Sequence, residues 1–410
     1  MIKPIPNILY NDEKEALRRL YEFKVEKIYE PTNKTLPGLV FAYERKGEED
    51  TVIIKIAKAP INSFSYHEDI EYVWVNKFVT GPNSINKDIL DKANANATDL
   101  GIPVDLNDRI IYLYGDTFSG NDCNIGMWNS NFIAVSKKLN FNDGIEFDHV
   151  ITDKNGVIKP ICQGLHHRDN PENKDAALKR EVTKIPTGGI LIGDYVYIYM
   201  MHVRHWGVAG EWYVTDNQLY KAHKYKLDDF KKVDNVRFHF DKYERLGQMF
   251  PFRNPKDPKH IYFVSIPGGR NGNLSLLRVK EQFIENKDKY EICVGKGKWL
   301  PLDKGINKEY YILSPKVSEP CIMYNEYLNK WIITTIGEDG HYMYTNEELD
   351  TPFKDRMLIL THKELVSFYG GFVHPRLSDY DGRKLYVQYS QWSPIYNTSL
   401  VEIVFKDKKK

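Results

Sequence analysis

Two aspartates, Asp99 and Asp116, stand seventeen positions apart in segments with the residue types of strand ends. Asp99 lies in a turn-forming stretch before Gly101, while Asp116 ends an apolar run and follows Gly115. Two carboxyl groups on either side of one bond can perform acid and base chemistry: one donates a proton, and the other attacks or activates water. The alternative interpretation is that each aspartate closes a turn by accepting hydrogen bonds from backbone N–H groups.

Two glutamates are further candidates for the same acidic site. Glu181 heads an expected strand that continues into Pro186–Gly189, and Glu319 stands beside Pro320. A third acidic group would tune the pKa of the proton donor or orient a water molecule. The alternative for both is a structural hydrogen bond between neighbouring sheets. We take Glu181 as the third catalytic candidate and Glu319 as a substrate-binding one.

Aromatic, amide, imidazole and guanidinium side chains beside polar turns predict a site that holds a sugar. Aromatic rings pack against the C–H face of a sugar, and polar side chains bind its hydroxyl groups. The substrate-binding candidates are Trp128, Asn129, Asn131, His202, Arg253, Arg270, His374, Trp392 and Tyr396. For each aromatic residue, packing between strands is the alternative role.

The histidines and cysteines do not indicate a metal site. His202 and His205 are three positions apart and would point to opposite faces of a strand. The chain has no HExxH motif, no phosphate-binding loop and no dinucleotide-binding glycine pattern. Its four cysteines form no CxxC pair, so two disulfides and four free thiols both fit the sequence. We expect no metal and no other cofactor.

Strands must position these residues, because aromatic-rich strand patterns dominate the chain from about residue 80 onward. The aromatic fraction is 13%, a value typical of strand-rich folds. Five such strands recur, each after a polar turn: Ile110–Phe118, Asp194–Val203, His260–Ile266, Lys330–Ile336 and Lys384–Trp392. Their spacing of roughly 60–70 residues suits four-stranded propeller blades with long loops. A pair of sandwiches or a jelly roll is the alternative all-β fold.

The first 79 residues have a different pattern, which predicts a small α+β appendage. Residues 11–13 can cap a helix whose apolar face runs from Ala16 to Tyr21. Strand patterns follow at Leu39–Arg45 and Thr51–Ala57. Beyond the appendage, one more helix is expected at Ser84–Asn94, at the start of the main domain. We therefore divide the chain into an appendage, residues 1–79, and a main domain, residues 80–410.

Several motifs, in order from about Thr80 to Phe405, resemble one family. They are Ala97–Pro103 (ATDLGIP), Tyr114–Phe118 (YGDTF), Trp128–Asn131 (WNSN), Glu181–Gly189 (EVTKIPTGG), Pro267–Arg270 (PGGR) with Gly272, Ser318–Pro320 (SEP) and His374–Pro375. The family is the group of five-bladed β-propeller proteins, first catalogued as a domain of unknown function, that includes endo-D-arabinanases. The resemblance implies a five-bladed propeller fold. It also implies that Asp99 and Asp116 are the catalytic carboxylates.

The residues and the resemblance together predict a glycoside hydrolase that cleaves furanoside, arabinan-type linkages of a bacterial cell-surface polysaccharide. The second hypothesis is a non-catalytic glycan-binding phage tail or receptor-binding protein, with residues 1–79 docked to a larger assembly. Both hypotheses place the protein outside the cell or on a virion, so we expect an extracellular or virion-associated protein. The chain shows no export signal and no apolar stretch of membrane-spanning length. The near-even charge, 57 Lys and Arg against 56 Asp and Glu, gives no support for a nucleic-acid partner.

Overall fold

The computed structural model describes residues 3–47, 50–138, 140–167, 181–207, 211–337, 339–374 and 379–407; Pro375 of the last motif lies outside them. The described chain is all-β with short helices: α1 (Glu13–Arg19), α2 (Lys87–Lys92), α3 (Phe240–Tyr243) and α4 (Leu302–Gly305). Single 3₁₀ turns occur at Glu244–Leu246, Glu281–Phe283, Lys287–Lys289 and Tyr380–Gly382. All four cysteines are free. Among the described residues, no helix is long and apolar enough to cross a membrane.

By its internal contacts the chain divides into two compact units, and the smaller unit contains both terminal segments of the chain. It comprises Met1–Trp74 and Ile403–Lys410, and the larger unit is Val75–Glu402. The smaller unit contains α1 and a sheet in the order β1-β3-β2, with β1 (Lys24–Pro31), β2 (Val40–Arg45) and β3 (Thr51–Lys58). Strand β1 runs parallel to β3, and β2 runs antiparallel to it.

The predicted helix near residue 13 and the two predicted strands of the smaller unit are confirmed. The Asp12 carboxylate caps α1 by accepting a hydrogen bond of 2.7 Å from the Glu15 N–H. Ala16 and Leu20 pack into a core with apolar residues of β2 and β3. Tyr21 was expected on this face but is 80% exposed, because α1 ends at Arg19 and Tyr21 lies beyond the last helical turn.

The larger unit is built from five successive groups of antiparallel strands. Strand β4 (Ile70–Phe78) leads into it. The first group is β5 (Ala97–Asp105), β6 (Ile110–Phe118), β7 (Trp128–Asn129), β8 (Phe132–Ser136) and β9 (His149–Val150). The second is β10 (Thr183–Ile192), β11 (Tyr195–His205), β12 (Tyr213–His223) and β13 (Lys231–His239). The third is β14 (Gln248–Arg253), β15 (His260–Ile266), β16 (Gly272–Lys280), β17 (Glu291–Gly295) and β18 (Lys298–Pro301).

The last two groups complete the larger unit. The fourth is β19 (Leu313–Asn325), β20 (Lys330–Ile336), β21 (His341–Asn346) and β22 (Asp355–Leu360). The fifth is β23 (Phe368–Val373), β24 (Lys384–Gln391), β25 (Asn397–Phe405) and, beside β25, the early strand β4. A short pairing of β16 with β19 joins the third and fourth groups into one nine-stranded sheet.

The five recurring aromatic strands of the sequence are confirmed, since they are the second strands of the five groups. They are β6, β11, β15, β20 and β24, with bounds within two residues of those expected. Their aromatic side chains fill the cores: Tyr112, Tyr114, Tyr199, Phe263, Trp331, Tyr386 and Tyr389 are all fully buried. Most aromatic side chains of this protein are therefore used for packing in the core. The predicted helix at Ser84–Asn94 is shorter in the structure and is α2.

The first strand of each group contributes to the site described below. These strands contact one another in sequence, β5 with β10, β10 with β14, β14 with β19, and β19 with β23, and β23 in turn contacts β5. Asp99 lies near the start of β5, Gln248 begins β14 and Tyr369 lies near the start of β23. Residues from distant parts of the sequence thus meet at one end of these five strands.

Candidate active site

A cavity of about 610 Å³ opens at this end of the first strands. Both predicted catalytic aspartates line it. Its wall also includes Phe118, Trp128, Trp206, Trp212, Arg270, Glu319, Tyr369 and Tyr396. The strand ends therefore bring together two carboxyl groups, a guanidinium group and several aromatic rings.

Asp99 reaches the cavity through a distortion of β5. The pairing of β5 with β6 shifts register on both sides of Leu100, and Leu100 and Gly101 have φ angles of 70° and 77°. Such bulges redirect side chains and are common beside active sites. The Leu100 N–H donates a hydrogen bond of 2.7 Å to Ser390 Oγ on β24, which holds the distorted backbone in place.

The Asp99 carboxyl group is buried and has different surroundings on its two oxygens. Oδ2 accepts a 2.7 Å hydrogen bond from the Tyr369 hydroxyl. Oδ1 is buried without a partner among the described residues and faces the backbone of Gly115, where an added Cβ would collide with it. Burial raises the pKa of Asp99 to about 6, against the lowering effects of Tyr369, Tyr396 and the charge of Arg270.

Asp116, on β6, is bound on one oxygen by two donors. Its Oδ1 accepts hydrogen bonds from Thr183 Oγ1 at 2.5 Å and from Trp128 Nε1 at 2.8 Å. Burial, together with the negative charge of Asp99, raises the pKa of Asp116 to about 8, against the lowering effect of the bonds from Thr183 and Trp128. At neutral pH Asp116 is therefore mostly protonated and Asp99 mostly ionised. The pair has the charge states that a proton donor and a base or nucleophile need.

Half-buried Arg270 and buried Glu319 form an ion pair on the wall of the cavity. Arg270 Nε donates to Glu319 Oε1 at 2.7 Å, and the Gly370 N–H donates to Oε2 at 2.8 Å. The guanidinium group lies 4.7 Å from the ring centre of Trp212 and 4.2 Å from that of Tyr369. Both Arg270 and Glu319 have positive φ angles, 56° and 42°. Non-glycine residues in such conformations cost about 1–3 kcal/mol each and cluster at functional sites.

This geometry gives Glu319 and Trp128 different roles from those expected. Both carboxylate oxygens of Glu319 are engaged by Arg270 and Gly370, so the geometry supports a holding role for Glu319 rather than direct contact with substrate. The indole of Trp128 is stacked on the imidazole of His166, with ring centres 3.9 Å apart and planes 1° apart. It also stacks on Phe118 at 5.8 Å. Trp128 is thus occupied with neighbouring rings and with Asp116 instead of presenting a bare face.

Glu181 and His202, two further candidates, do not line the cavity. Glu181 is buried and forms an ion pair of 3.2 Å with Lys184. His202 Nδ1 lies 3.8 Å from Glu181 and 3.2 Å from Asp216. Burial lowers the pKa of His202 to about 4, so its ring is neutral at neutral pH. The contacts with Lys184 and Asp216 therefore support a structural role for Glu181 and His202. Among the described residues, no group of three or more metal-ligating side chains is placed to hold a metal ion.

The remaining candidates lie outside the cavity, where packing or structural bonds account for them. Asn131 is fully buried and bonds the backbone of Ile161, Cys162 and Lys184, and Asn129 is buried on β7. His374 is enclosed between Tyr112 and Phe141. Their positions do not support the predicted contacts with substrate.

Arg253 and Trp392 lie apart from the cavity for different reasons. Arg253 ends β14, whose first residue, Gln248, lines the cavity; five residue steps of strand place them about 17 Å apart. Arg253 pairs with Glu281 at 2.8 Å and lines a second cavity that also contains Asp105. Trp392 is 63% exposed and does not line the first cavity. Of the substrate-binding candidates, Trp128, Arg270, Glu319 and Tyr396 do line it.

Four site residues were missed in the sequence. Thr183 lies inside the Glu181–Gly189 motif, and its proximity to the candidate Glu181 was the available signal. Tyr369 precedes the paired glycines Gly370 and Gly371, a pattern that recurs at positions 188–189 and 268–269. Trp206 and Trp212 flank one connection between strands, and no local pattern indicated that this connection reaches the site.

Comparison with known proteins identifies the family and the fold. No functionally curated protein matches the chain in sequence. A Bacteroides ovatus protein provisionally described as a hydrolase shares the fold, with a TM-score of 0.53, 12% identity, and coverage of 83% of this chain and 93% of that one. More distant matches are a Bombyx mori β-fructofuranosidase (TM-score 0.44, 14% identity, 78% and 67% coverage) and a Bacillus subtilis arabinanase (0.42, 7%, 76% and 96%).

The family assignment comes from a sequence model and covers most of the larger unit. The model of DUF4185, a domain of unknown function, matches residues 83–402. This range agrees with the extent of the motifs noted in the sequence, from about Thr80 to Phe405. The chain belongs to the DUF4185 family.

Proposed function

We propose that this protein is a glycoside hydrolase that cleaves furanoside, arabinan-type linkages of a bacterial cell-surface polysaccharide outside the cell. Asp116 is the proton donor, and Asp99 is the carboxylate that attacks the sugar or activates water. One observation carries the proposal: two buried carboxyl groups line the same cavity, with the pKa of one raised to about 6 and that of the other to about 8. Two carboxyl groups in different charge states are what glycoside hydrolysis requires.

The fold that accompanies this proposal is a five-bladed β-propeller, with one strand group as each blade. Its support is the repetition of antiparallel groups and the cyclic contacts of their first strands, in which β23 meets β5. The early strand β4 pairs with β25 in the last group, which would fasten the end of the ring to its beginning. A ring of this kind gathers residues from all blades at one mouth.

The reaction consumes one water molecule and breaks one C–O bond. Asp116 gives its proton to the leaving oxygen as that bond breaks. Asp99 either takes a proton from the attacking water or first bonds to the anomeric carbon, in which case water releases the sugar in a second step. In both courses the hydroxyl group of water ends on the anomeric carbon. Asp116 then ends protonated and Asp99 ionised, as at the start.

Arg270 is the substrate-binding residue that the geometry supports best. Among the described residues, its hydrogen bond runs from Nε to Glu319, and its two terminal nitrogens make none. Trp212 and Tyr369 lie against the guanidinium group and restrict its movement. A held guanidinium fork can donate to two neighbouring hydroxyl oxygens of a sugar. Tyr396, which lines the same cavity, offers an aromatic surface near Asp99.

The test is the release of new reducing ends from arabinan-type and other furanoside polysaccharides. Wild type should release them, and Asp99→Asn and Asp116→Asn should each lose at least a hundredfold in rate, since each removes one partner of the acid–base pair. The matched control is Asp105→Asn, at the far end of the strand that carries Asp99. Binding of these polysaccharides without cleavage by wild type would contradict the proposal and favour the glycan-binding hypothesis.

A further inference from the structure

We infer that Thr183 and Trp128 are positioning residues that fix the acidic proton of Asp116 on Oδ2, the oxygen free to meet the substrate. This inference rests on the proposed function for its catalytic meaning. The position of the proton on Asp116 can be measured whether or not the protein cleaves a polysaccharide.

The two oxygens of the Asp116 carboxyl group differ in their hydrogen bonds. Both of its hydrogen-bond donors, Thr183 Oγ1 and Trp128 Nε1, meet the same oxygen, Oδ1. Oδ2 has no hydrogen-bond partner among the described residues, and it is not one of the buried unpaired atoms. In a protonated carboxyl group the carbonyl oxygen is the better acceptor, because the hydroxyl oxygen is less negative. Two donors on Oδ1 therefore favour the proton on Oδ2.

A second feature is the rigidity of the Trp128 donor. An indole N–H can only donate, so Trp128 cannot exchange roles with Asp116. The parallel ring of His166, 3.9 Å away, holds the indole plane. His166 is itself held, because its Nε2 lies 2.8 Å from Ser130 Oγ and its backbone N–H donates to the Val182 carbonyl oxygen. The indole N–H is thus fixed in direction before any substrate binds.

A third feature is the position of Thr183. It begins β10 in the second strand group and is fully buried, whereas Asp116 belongs to the first group. Its hydroxyl spans the two groups over 2.5 Å. Clamping the carboxyl group between donors on β7 and β10 prevents it from rotating to exchange Oδ1 and Oδ2. A proton donor held in one orientation loses little entropy when the leaving oxygen arrives.

Infrared difference spectroscopy on the full-length protein tests this directly. The carbonyl stretch of protonated Asp116 is isolated by subtracting spectra at about pH 7 and about pH 10, with Asp116→Asn as the blank. If Oδ1 is the carbonyl oxygen, the band lies at the low frequency of a doubly hydrogen-bonded C=O group. Thr183→Val should then raise its frequency, while Thr183→Ser, which keeps the hydroxyl group, should leave it unchanged.

The titration midpoint of the same band is a second readout. Removing the Thr183 hydroxyl group removes a bond to the carboxylate, so Thr183→Val should raise the midpoint by about one pH unit. Trp128→Phe should shift the band and the midpoint in the same directions. A high-frequency band in wild type that Thr183→Val does not move would overturn the inference, because the proton would then lie on Oδ1 and be shared with Thr183.

Activity separates this inference from the proposed function. If wild type cleaves furanoside polysaccharides, Thr183→Val should lower kcat by about tenfold with little change in KM, and should move the alkaline limb of the pH profile upward. If wild type cleaves nothing while the band behaves as expected, the proposed function is contradicted but the positioning of the Asp116 proton by Thr183 and Trp128 is supported. If cleavage is observed and Thr183→Val leaves both the band and the pH profile unchanged, the proposed function is supported and the positioning role is contradicted.

Discussion

The raised pKa of Asp116 predicts that Asp116→Asn stabilises the protein in a pH-dependent way. Asparagine has the same shape, and its Oδ1 can still accept the bonds from Thr183 and Trp128. Unlike aspartate, it never carries a buried charge. The substitution should therefore remove activity and increase stability together, as expected where a functional site holds a group that is costly to bury.

The size of the effect follows from the two pKa values of Asp116. Its pKa is about 8 in the folded protein and 3.8 when unperturbed. Because the folded value is raised, the folded state binds the proton more tightly, and stability is lost as pH rises from 3.8 through about 8. At 1.36 kcal/mol per pKa unit, the aspartate destabilises the folded state by about 0.6 kcal/mol at pH 4 and about 4 kcal/mol at pH 7.

Urea unfolding at several pH values measures this difference. The free energy of unfolding of Asp116→Asn should exceed that of wild type by several kcal/mol at pH 7, and the gain should nearly vanish at pH 4. The control Asp105→Asn, which removes a carboxylate at the other end of the strand that carries Asp99, is measured in the same way. A gain that is equal at the two pH values, or a loss of stability at pH 7, would refute the reasoning, since burial of an ionisable group would then not be its cause.

Three further substitutions test other parts of the structure. Gly115→Ala should place a methyl group against Asp99 Oδ1, and we expect at least a tenfold loss of polysaccharide cleavage with the fold retained, measured by reducing ends and circular dichroism. Burial lowers the pKa of His374 to about 3, so the free energy of unfolding of wild type should fall as pH drops below about 6.5. Between pH 6.5 and 4, His374→Phe should lose about 3 kcal/mol less of this free energy than wild type, as measured by urea unfolding. Asn131→Ala should cost about 2–4 kcal/mol of unfolding free energy at neutral pH, because it leaves buried backbone groups near Cys162 and Lys184 without partners.

The sequence was informative about strands because their pattern is local. Alternating aromatic and apolar residues between polar turns located β6, β11, β15, β20 and β24 nearly to the residue. The two aspartates were predicted from short motifs, in which Asp99 precedes Gly101 and Asp116 follows Gly115, and from the family resemblance that these motifs carry.

The rest of the site depends on contacts between residues far apart in the chain. Tyr369 meets Asp99 across 270 positions, and Arg270 meets Glu319 across 49, so no local spacing could indicate either contact. The surroundings of His374 have the same origin. It was predicted to contact substrate, whereas in the structure two aromatic residues from other parts of the chain enclose it.

The proposed division of labour between the two aspartates can be tested with furanosyl oligosaccharides that carry different aryl leaving groups. A leaving group of low pKa departs without needing a proton, whereas one of high pKa needs the acid. We predict that Asp116→Asn retains much of the wild-type rate on the dinitrophenyl glycoside and loses it on the unsubstituted phenyl glycoside, while Asp99→Asn loses the rate on both. Equal losses by Asp116→Asn on the two substrates, or full activity of Asp99→Asn on either, would contradict it.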